Sequence, residues 1–222
     1  MKRTKTNMNK TTEPIRRLKD FDAMSSYLFH KRNLRDYAFF LFGVHTGRRI
    51  SDIVALNVQD VAYIDGKGKL KIVERLSIRE RKTGKFIKLI FHYRVKRALG
   101  KYLKTRIKKL REQERSLGEF LREPLFTSQK PRRNGERRLT ESSAWRILRD
   151  AARACGISDK IGTHSMRKTF GYLMYQDNTN IELIQRLLNH SSPSITLAYI
   201  GVTQDDLDEA ILNLDTRNLK IF

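Results

Sequence analysis

Helical periodicities interrupted by one β-rich stretch predict a mainly α-helical domain with a small antiparallel β-sheet insertion, an α+β class. Three observations carry this. Residues 34–45 are apolar almost all round, as a helix central to a core must be. Between Val58 and His92, Asp65-Gly66, Gly68 and Thr83-Gly84 punctuate short β-favouring runs. No internal repeat or Pro/Gly/Ser-rich linker divides the 222 residues, and a hydrophobic content of 39% can fill one core.

Residues 1–13 are polar and basic, with Lys2, Arg3, Lys5 and Lys10, and read as a disordered arm that either touches phosphates or is simply solvated. From Pro14 the pattern turns helical, and Ile15, Leu18 and Phe21 lead into a first helix around 20–30. The second, 34–45, is stopped by Gly47. Ser51 and Asp52 open a short third helix bearing Ile53, Val54 and Leu56. Leu70–Val73 and Phe86–Phe91 are the expected strands, with Lys82 beside the Thr83-Gly84 turn. Residues 93–117 form a long basic helix with Val95, Leu99, Tyr102, Ile107 and Leu110 on its stripe; its cationic remainder faces solvent or a polyanion. The loop 130–138 holds five cations, Arg132 and Arg133 among them, and 142–154 is a helix whose Trp145 is expected in the core. The segment 203–214, with Thr203 as N-cap, Asp206 at the third position and a Leu207, Ile211, Leu214 stripe, is an amphipathic helix that packs on its own domain or on a neighbouring copy.

Charge narrows the partners. Against 24 acidic residues stand 46 Lys plus Arg, a formal net charge of +22, which repels itself unless an anion is bound; nucleic acid is the polyanion expected. A membrane is not expected, since the apolar run 38–44 is too short to span and no signal-peptide pattern opens the chain. The single Cys155 excludes an internal disulfide and fits a reducing compartment. The five histidines include no pair at i, i+4 and have no cysteine cluster near them, so no metal site is expected.

One constellation carries chemistry. His164-Ser165-Met166-Arg167 puts an imidazole and a guanidinium on one helix face and turns Met166 and Phe170 to another that can enter the core. Downstream, His190 closes the amphipathic run 181–190, Ser191-Ser192-Pro193 breaks the chain, and the next apolar stretch carries Tyr199. Transfer of a phosphoryl group needs a nucleophile and fixed charge on the phosphate oxygens, and without a metal the forked, always-charged arginine is suited to the second task; Arg49 and Arg167 are the candidates. Each residue alone also has a structural reading: Arg49 as a surface cation, His190 as a helix-end cap and Tyr199 as a core aromatic.

Together, Thr46-Gly47-Arg48-Arg49-Ile50-Ser51-Asp52, Lys82-Thr83-Gly84, His164-Ser165-Met166-Arg167, Leu188-Asn189-His190 and Tyr199 resemble the tyrosine recombinases of the lambda-integrase class, over about residues 14–215. The resemblance implies a recombinase-like catalytic domain over 14–202, with 203–222 as a C-terminal helix and tail. It implies that Tyr199 attacks the scissile phosphodiester, leaving a 3′-phosphotyrosyl link and a 5′-hydroxyl. Arg49, Arg167 and His190 would hold the nonbridging oxygens, Lys82 would protonate the leaving oxygen, and His164 would act as base or positioner for the tyrosine hydroxyl. Asp52 matches the acid that buttresses the first arginine. Lys85 flanks the same turn and competes with Lys82 for the role of acid. Lys85, Arg132, Arg133 and Lys168 are expected to touch DNA.

A tyrosyl ester conserves the phosphodiester energy, so no cofactor is expected. The expected partners are double-stranded DNA with paired half-sites and further copies of the chain, four in the synaptic complex, in the cytoplasm at the nucleoid. Integration, excision or inversion would follow; a DNA-binding regulator that keeps the fold and a topoisomerase-like nickase are the alternatives. The chain departs from the family pattern at Asn189, where glycine is usual, at Arg48, where an aliphatic residue is common, and at Lys168, where a second histidine often follows the arginine. Most relatives also carry an N-terminal helical domain that closes around DNA; single-domain relatives such as the recombinases that invert fimbrial promoter switches share the expected architecture.

Overall fold

The helix α2, Leu34–Thr46, is the axis of the molecule: Ala38, Phe39, Phe40, Leu41, Phe42 and Val44 are all buried. A helix apolar on every side must be wrapped, and α1 (Leu18–His30), α4 (Tyr93–Glu112) and α7 (Thr163–Gln176) pack against it. The computed structural model describes residues 12–31, 33–128, 130–131, 134–202 and 204–212. Most of the basic arm, Arg132, Arg133, Thr203 and the tail from 213, including Leu214, lie outside them. Thr12 and Glu13 are described, and the Glu13 amide donates to Lys160 O at 3.0 Å.

Gly47 ends α2 in the left-handed region at φ 61°, and a Cβ there would sit 2.4 Å from the Phe170 ring, so the turn needs glycine twice over. The chain then passes through Arg48 and Arg49 into α3, Ile50–Ala55, so Ser51 and Asp52 lie inside this helix and Arg49 is its N-cap. A 3-10 turn, Val58–Asp60, leads to β1 (Ala62–Ile64) and β2 (Leu70–Ile72), paired antiparallel. The strands β3 (Arg75–Arg79) and β4 (Phe86–Ile90) form a second hairpin, with Leu76 opposite Leu89 and Arg79 opposite Phe86. The β-rich stretch is therefore two ribbons rather than one sheet. Leu76 and Leu89 face the core, while Phe86, Lys88 and Ile90 alternate outward.

Two sequence expectations need correction. The basic helix stops at Glu112: Glu114 takes φ 53°, and Ser116 caps a separate α5, Leu117–Arg122, whose Phe120 turns back into the core. Trp145 is not a core residue. On α6, Glu141–Ala154, small side chains face inward with Leu148, and Trp145 stands one position off that stripe, 42% exposed, its ring under the Arg149 guanidinium at 4.6 Å.

Beyond α7 the chain forms α8 (Ile181–Leu188), α9 (Pro193–Ile200) and α10 (Gln204–Leu212). Tyr172, Ile184, Leu188 and Ile200 make a small core of their own, on which Phe170, Leu197 and Tyr199 rest. Here α7 and α9 nearly touch, because a Cβ on Gly171 would lie 2.6 Å from the buried Ile200. The start of α10 is held by its own chain through Asp206, which accepts from Tyr172 Oη at 3.3 Å and Gln176 Nε2 at 3.2 Å. Its Leu207, Ile211 and Leu212 are exposed.

Candidate active site

Arg49, Lys82, His164 and Arg167 come from three separate stretches of chain and line one cavity of about 220 Å³, together with Ile50, Ser51, Glu141 and Thr163. Each is placed by a local device. The Gly47 turn throws Arg49 onto the N-terminus of α3, the β3–β4 turn carries Lys82, and the first turn of α7 carries His164 and Arg167 at i, i+3. Ser165 between them secures that turn, accepting from Gly162 N at 3.0 Å.

Arg167 is buried, and its Nη1 donates to Gly47 O at 2.7 Å while Nη2 donates to Leu188 O. Two carbonyls fix the plane of the guanidinium and leave further N–H groups for an anion. Burial pulls the Arg167 pKa down, and the repulsion of Arg49 adds to this. Neighbouring Arg48 is wholly buried, reaching Thr46 O, Leu187 O and, at 3.2 Å, Glu80 Oε1; burial and Arg167 lower its pKa to about 10.

The carboxylate that pairs with Arg49 is Glu80, not Asp52. Glu80 Oε2 stands 2.8 Å from Arg49 Nη1, a close ion pair that is off the hydrogen-bond axis. Burial alone would raise the Glu80 pKa, yet bonds from Thr83 and Asn189 and the pair with Arg49 bring it down to about 2. Asp52 instead accepts the Arg81 amide at 2.9 Å, tying α3 to the base of the lysine turn, and its buried Oδ2 has no hydrogen-bond partner. Glu80 and Arg48 are what sequence reasoning missed. In sequence Glu80 is one of a run of charged residues, but it continues the alternation Leu76, Ile78, Glu80, which is the signal that places it on the inward face.

The two candidate acids separate. Lys82 lines the cavity, whereas Lys85 Nζ donates to Asn189 Oδ1 at 2.9 Å. On the other side, Asn189 caps α8 in the left-handed region and turns the chain into His190, whose Nδ1 lies 3.2 Å from Thr196 Oγ1 on α9. The His190 and Tyr199 rings meet edge to face at 4.9 Å, and Lys168 Nζ lies 5.6 Å from the centre of the Tyr199 ring. The Tyr199 hydroxyl is buried with no aligned hydrogen bond. Burial raises its pKa, against the pull of Arg167 and Arg49. Both histidines are held neutral: burial, then Arg167, brings His190 to about 4 and lowers His164, which Lys168 and Arg49 lower further. Such a site offers fixed cations to an anion, a neutral imidazole able to take a proton, and a phenol at its edge. Among the described residues no cluster of His, Cys, Asp or Glu could hold a metal ion, and no helix is long and apolar enough to cross a membrane.

Comparison with known proteins bears on the family and the fold. The probable integrase/recombinase YoeC of Bacillus subtilis (strain 168) is 40% identical over 193 residues, covering 87% of this chain and 91% of that protein. The crystal structure of XerA recombinase superposes with a TM-score of 0.66 at 23% identity, over 96% of this chain and 68% of that one. XerH site-specific recombinase, in its post-cleavage complex with palindromic difH substrate, superposes with a TM-score of 0.65 at 20% identity, over 90% of this chain and 51% of that one. Several other curated relatives are longer, the chain spanning 51–56% of them. The model of the phage integrase family matches residues 11–205, so that on motif, fold and similarity alike the chain belongs to that family and is a tyrosine recombinase.

Proposed function

We propose that the chain cleaves and rejoins DNA at specific sites through a 3′-phosphotyrosyl intermediate, with 14–202 as the catalytic domain and 203–222 as a helix and tail that pack beside it or on a neighbour. The supporting observation is the convergence of Arg49, Lys82, His164 and Arg167 on one cavity, with the Tyr199 hydroxyl buried in the field of Arg167. A phosphodiester in that cavity would receive N–H groups from Arg49 and Arg167 on its nonbridging oxygens, with the free edge of His190 beside them. The bond from Tyr199 Oη to phosphorus forms as the bond from phosphorus to O5′ breaks. The phenol proton passes to His164, which is neutral and able to accept it, and the Lys82 ammonium gives a proton to the departing O5′. Fixed cations matter most as negative charge gathers on the five-coordinate phosphorus, which is why arginines already held by Gly47, Leu188 and Glu80 suit the task.

The net charge of +22 and the likeness to a recombinase solved on DNA support duplex DNA as the partner. Paired half-sites and a tetramer on them belong to the same reading, as do phosphate contacts by Lys85 and Lys168, both at the rim of the site. Arg132 and Arg133 are assigned to DNA on their sequence alone. In this reading Tyr199 acts within its own chain, where Arg167 pulls on its hydroxyl.

Nicked suicide duplexes test the reading. Wild-type protein should form an SDS-resistant adduct that Tyr199→Phe does not form, and Arg167→Ala should slow its formation by about a hundredfold or more. DNA binding without any adduct from the wild type would contradict the proposal and favour a DNA-binding regulator.

A further inference from the structure

Asn189 occupies a backbone position where glycine costs nothing, at φ 53° as the C-cap of α8, and uses its side chain in both directions. Nδ2 donates to Glu80 Oε2 at 2.7 Å and approaches Thr83 Oγ1 at 3.3 Å, while Oδ1 accepts from Lys85 Nζ at 2.9 Å. These three partners surround Lys82 in sequence. Their turn closes on itself through Glu80 N to Lys85 O at 2.9 Å and Gly84 N to Glu80 O at 2.8 Å, and its tip is exposed. A two-stranded ribbon has little stability of its own, so the direction in which its tip points is set by what holds its base. One side of that base is fixed to the arginine segment, through Glu80 with Arg48 and Arg49 and through Arg81 N with Asp52. The base is also held by Asn189, the residue next to His190.

We propose that Asn189 is a positioning residue that latches the lysine turn to the His190 segment and so holds Lys82 over the cavity. The inference rests on the reading of Lys82 as the acid that protonates the leaving oxygen. It follows that loss of the Asn189 side chain harms departure of O5′ rather than DNA binding or nucleophilic attack. A substrate whose scissile 5′-bridging oxygen is replaced by sulfur separates these steps, because a thiolate leaves without receiving a proton.

Single-turnover adduct formation is measured with wild type, Asn189→Gly and Lys82→Ala on the ordinary and the 5′-phosphorothiolate duplex, with DNA affinity measured in parallel. Glycine keeps the left-handed backbone, so the variant loses the latch and not the turn. We expect Asn189→Gly to be slower by about tenfold on the ordinary duplex, a fraction of what a general acid supplies, and within about threefold of wild type on the sulfur duplex, at unchanged affinity. Asn189→Asp, which sets a second carboxylate against Glu80, should lose more and be repaired by the same substrate. Equal slowing of Asn189→Gly on both duplexes, or no slowing on either, would overturn the latch. A Lys82→Ala defect that sulfur does not repair would overturn the assignment of the acid itself, and the latch with it, whereas repair of Lys82→Ala without repair of Asn189→Gly would overturn the latch alone.

Discussion

Asp52 and Glu80 show how much a single residue's partners decide. Both are buried acids near Arg49, yet only Glu80 reaches its guanidinium, and Asp52 binds a backbone amide of the lysine turn. Sequence reasoning singled out the candidate catalytic groups because their types and order are distinctive, and missed the carboxylate that holds two arginines because one charged residue among several in a strand has no mark beyond period-two alternation. The histidines give a test at this scale. His45 and His190 are held near 4, well below their ordinary 6.5, so the unfolded chain takes up protons first as pH falls, and stability drops between about 6.5 and 4. Glu80 acts in a lower window, its contribution intact above 4.5 and lost toward about 2. Thermal unfolding followed from pH 7 to 4.5 should therefore show a decline that becomes shallower in a His45→Gln, His190→Gln double variant. An unchanged slope in that variant would refute the neutral, buried state of these rings.

At the scale of elements, most helices were legible because their apolar stripes were, and α2 was legible because it had no polar side. What sequence obscured was where a stripe stops mattering. The basic helix is cut at Glu114 by a left-handed residue that has no glycine to announce it, and Trp145 sits one position from the stripe of α6, where a cation covers its ring. Close packing of two helices was equally hidden. Gly171 lets α7 meet Ile200, the residue after Tyr199, so the helix that carries Tyr199 is seated by an absent side chain. Gly171→Ala should cost about 1–3 kcal/mol, as overpacking of a filled core does. It should also slow adduct formation more than it weakens DNA binding, and adding Ile200→Val should recover part of both losses. Thermal melts and single-turnover cleavage on the same preparations check this; a variant as stable and as fast as wild type would show that α7 and α9 do not meet so closely.

For the whole molecule, the charge excess is the property most visible from composition and the least informative about mechanism. It speaks of a polyanion, and if about six phosphates are neutralised, log Kobs should fall with log salt at a slope near −5 on duplex DNA. A flat response in filter-binding or anisotropy titrations would contradict electrostatic docking. The division of labour in the site is a property of the fold. The helical body carries Arg49, His164, Arg167, His190 and Tyr199, and the hairpin carries Lys82; Arg49, Lys82, His164 and Arg167 line one cavity, and His190 and Tyr199 stand together outside its lining. Sequence favoured Lys82 over Lys85 on the Lys-Thr-Gly match, although both flank one turn; in the structure Lys82 lines the cavity and Lys85 bonds Asn189, 104 positions away. Everything in the proposal turns on Tyr199 as the atom donor. The most direct measurement is mass spectrometry of the peptide that remains linked to DNA after a suicide substrate is trapped and the protein is digested. The account predicts a nucleotide 3′-phosphate on Tyr199, in the peptide that begins at Leu187; a nucleotide on Tyr172, Tyr175 or Tyr93, or on no tyrosine, would contradict it.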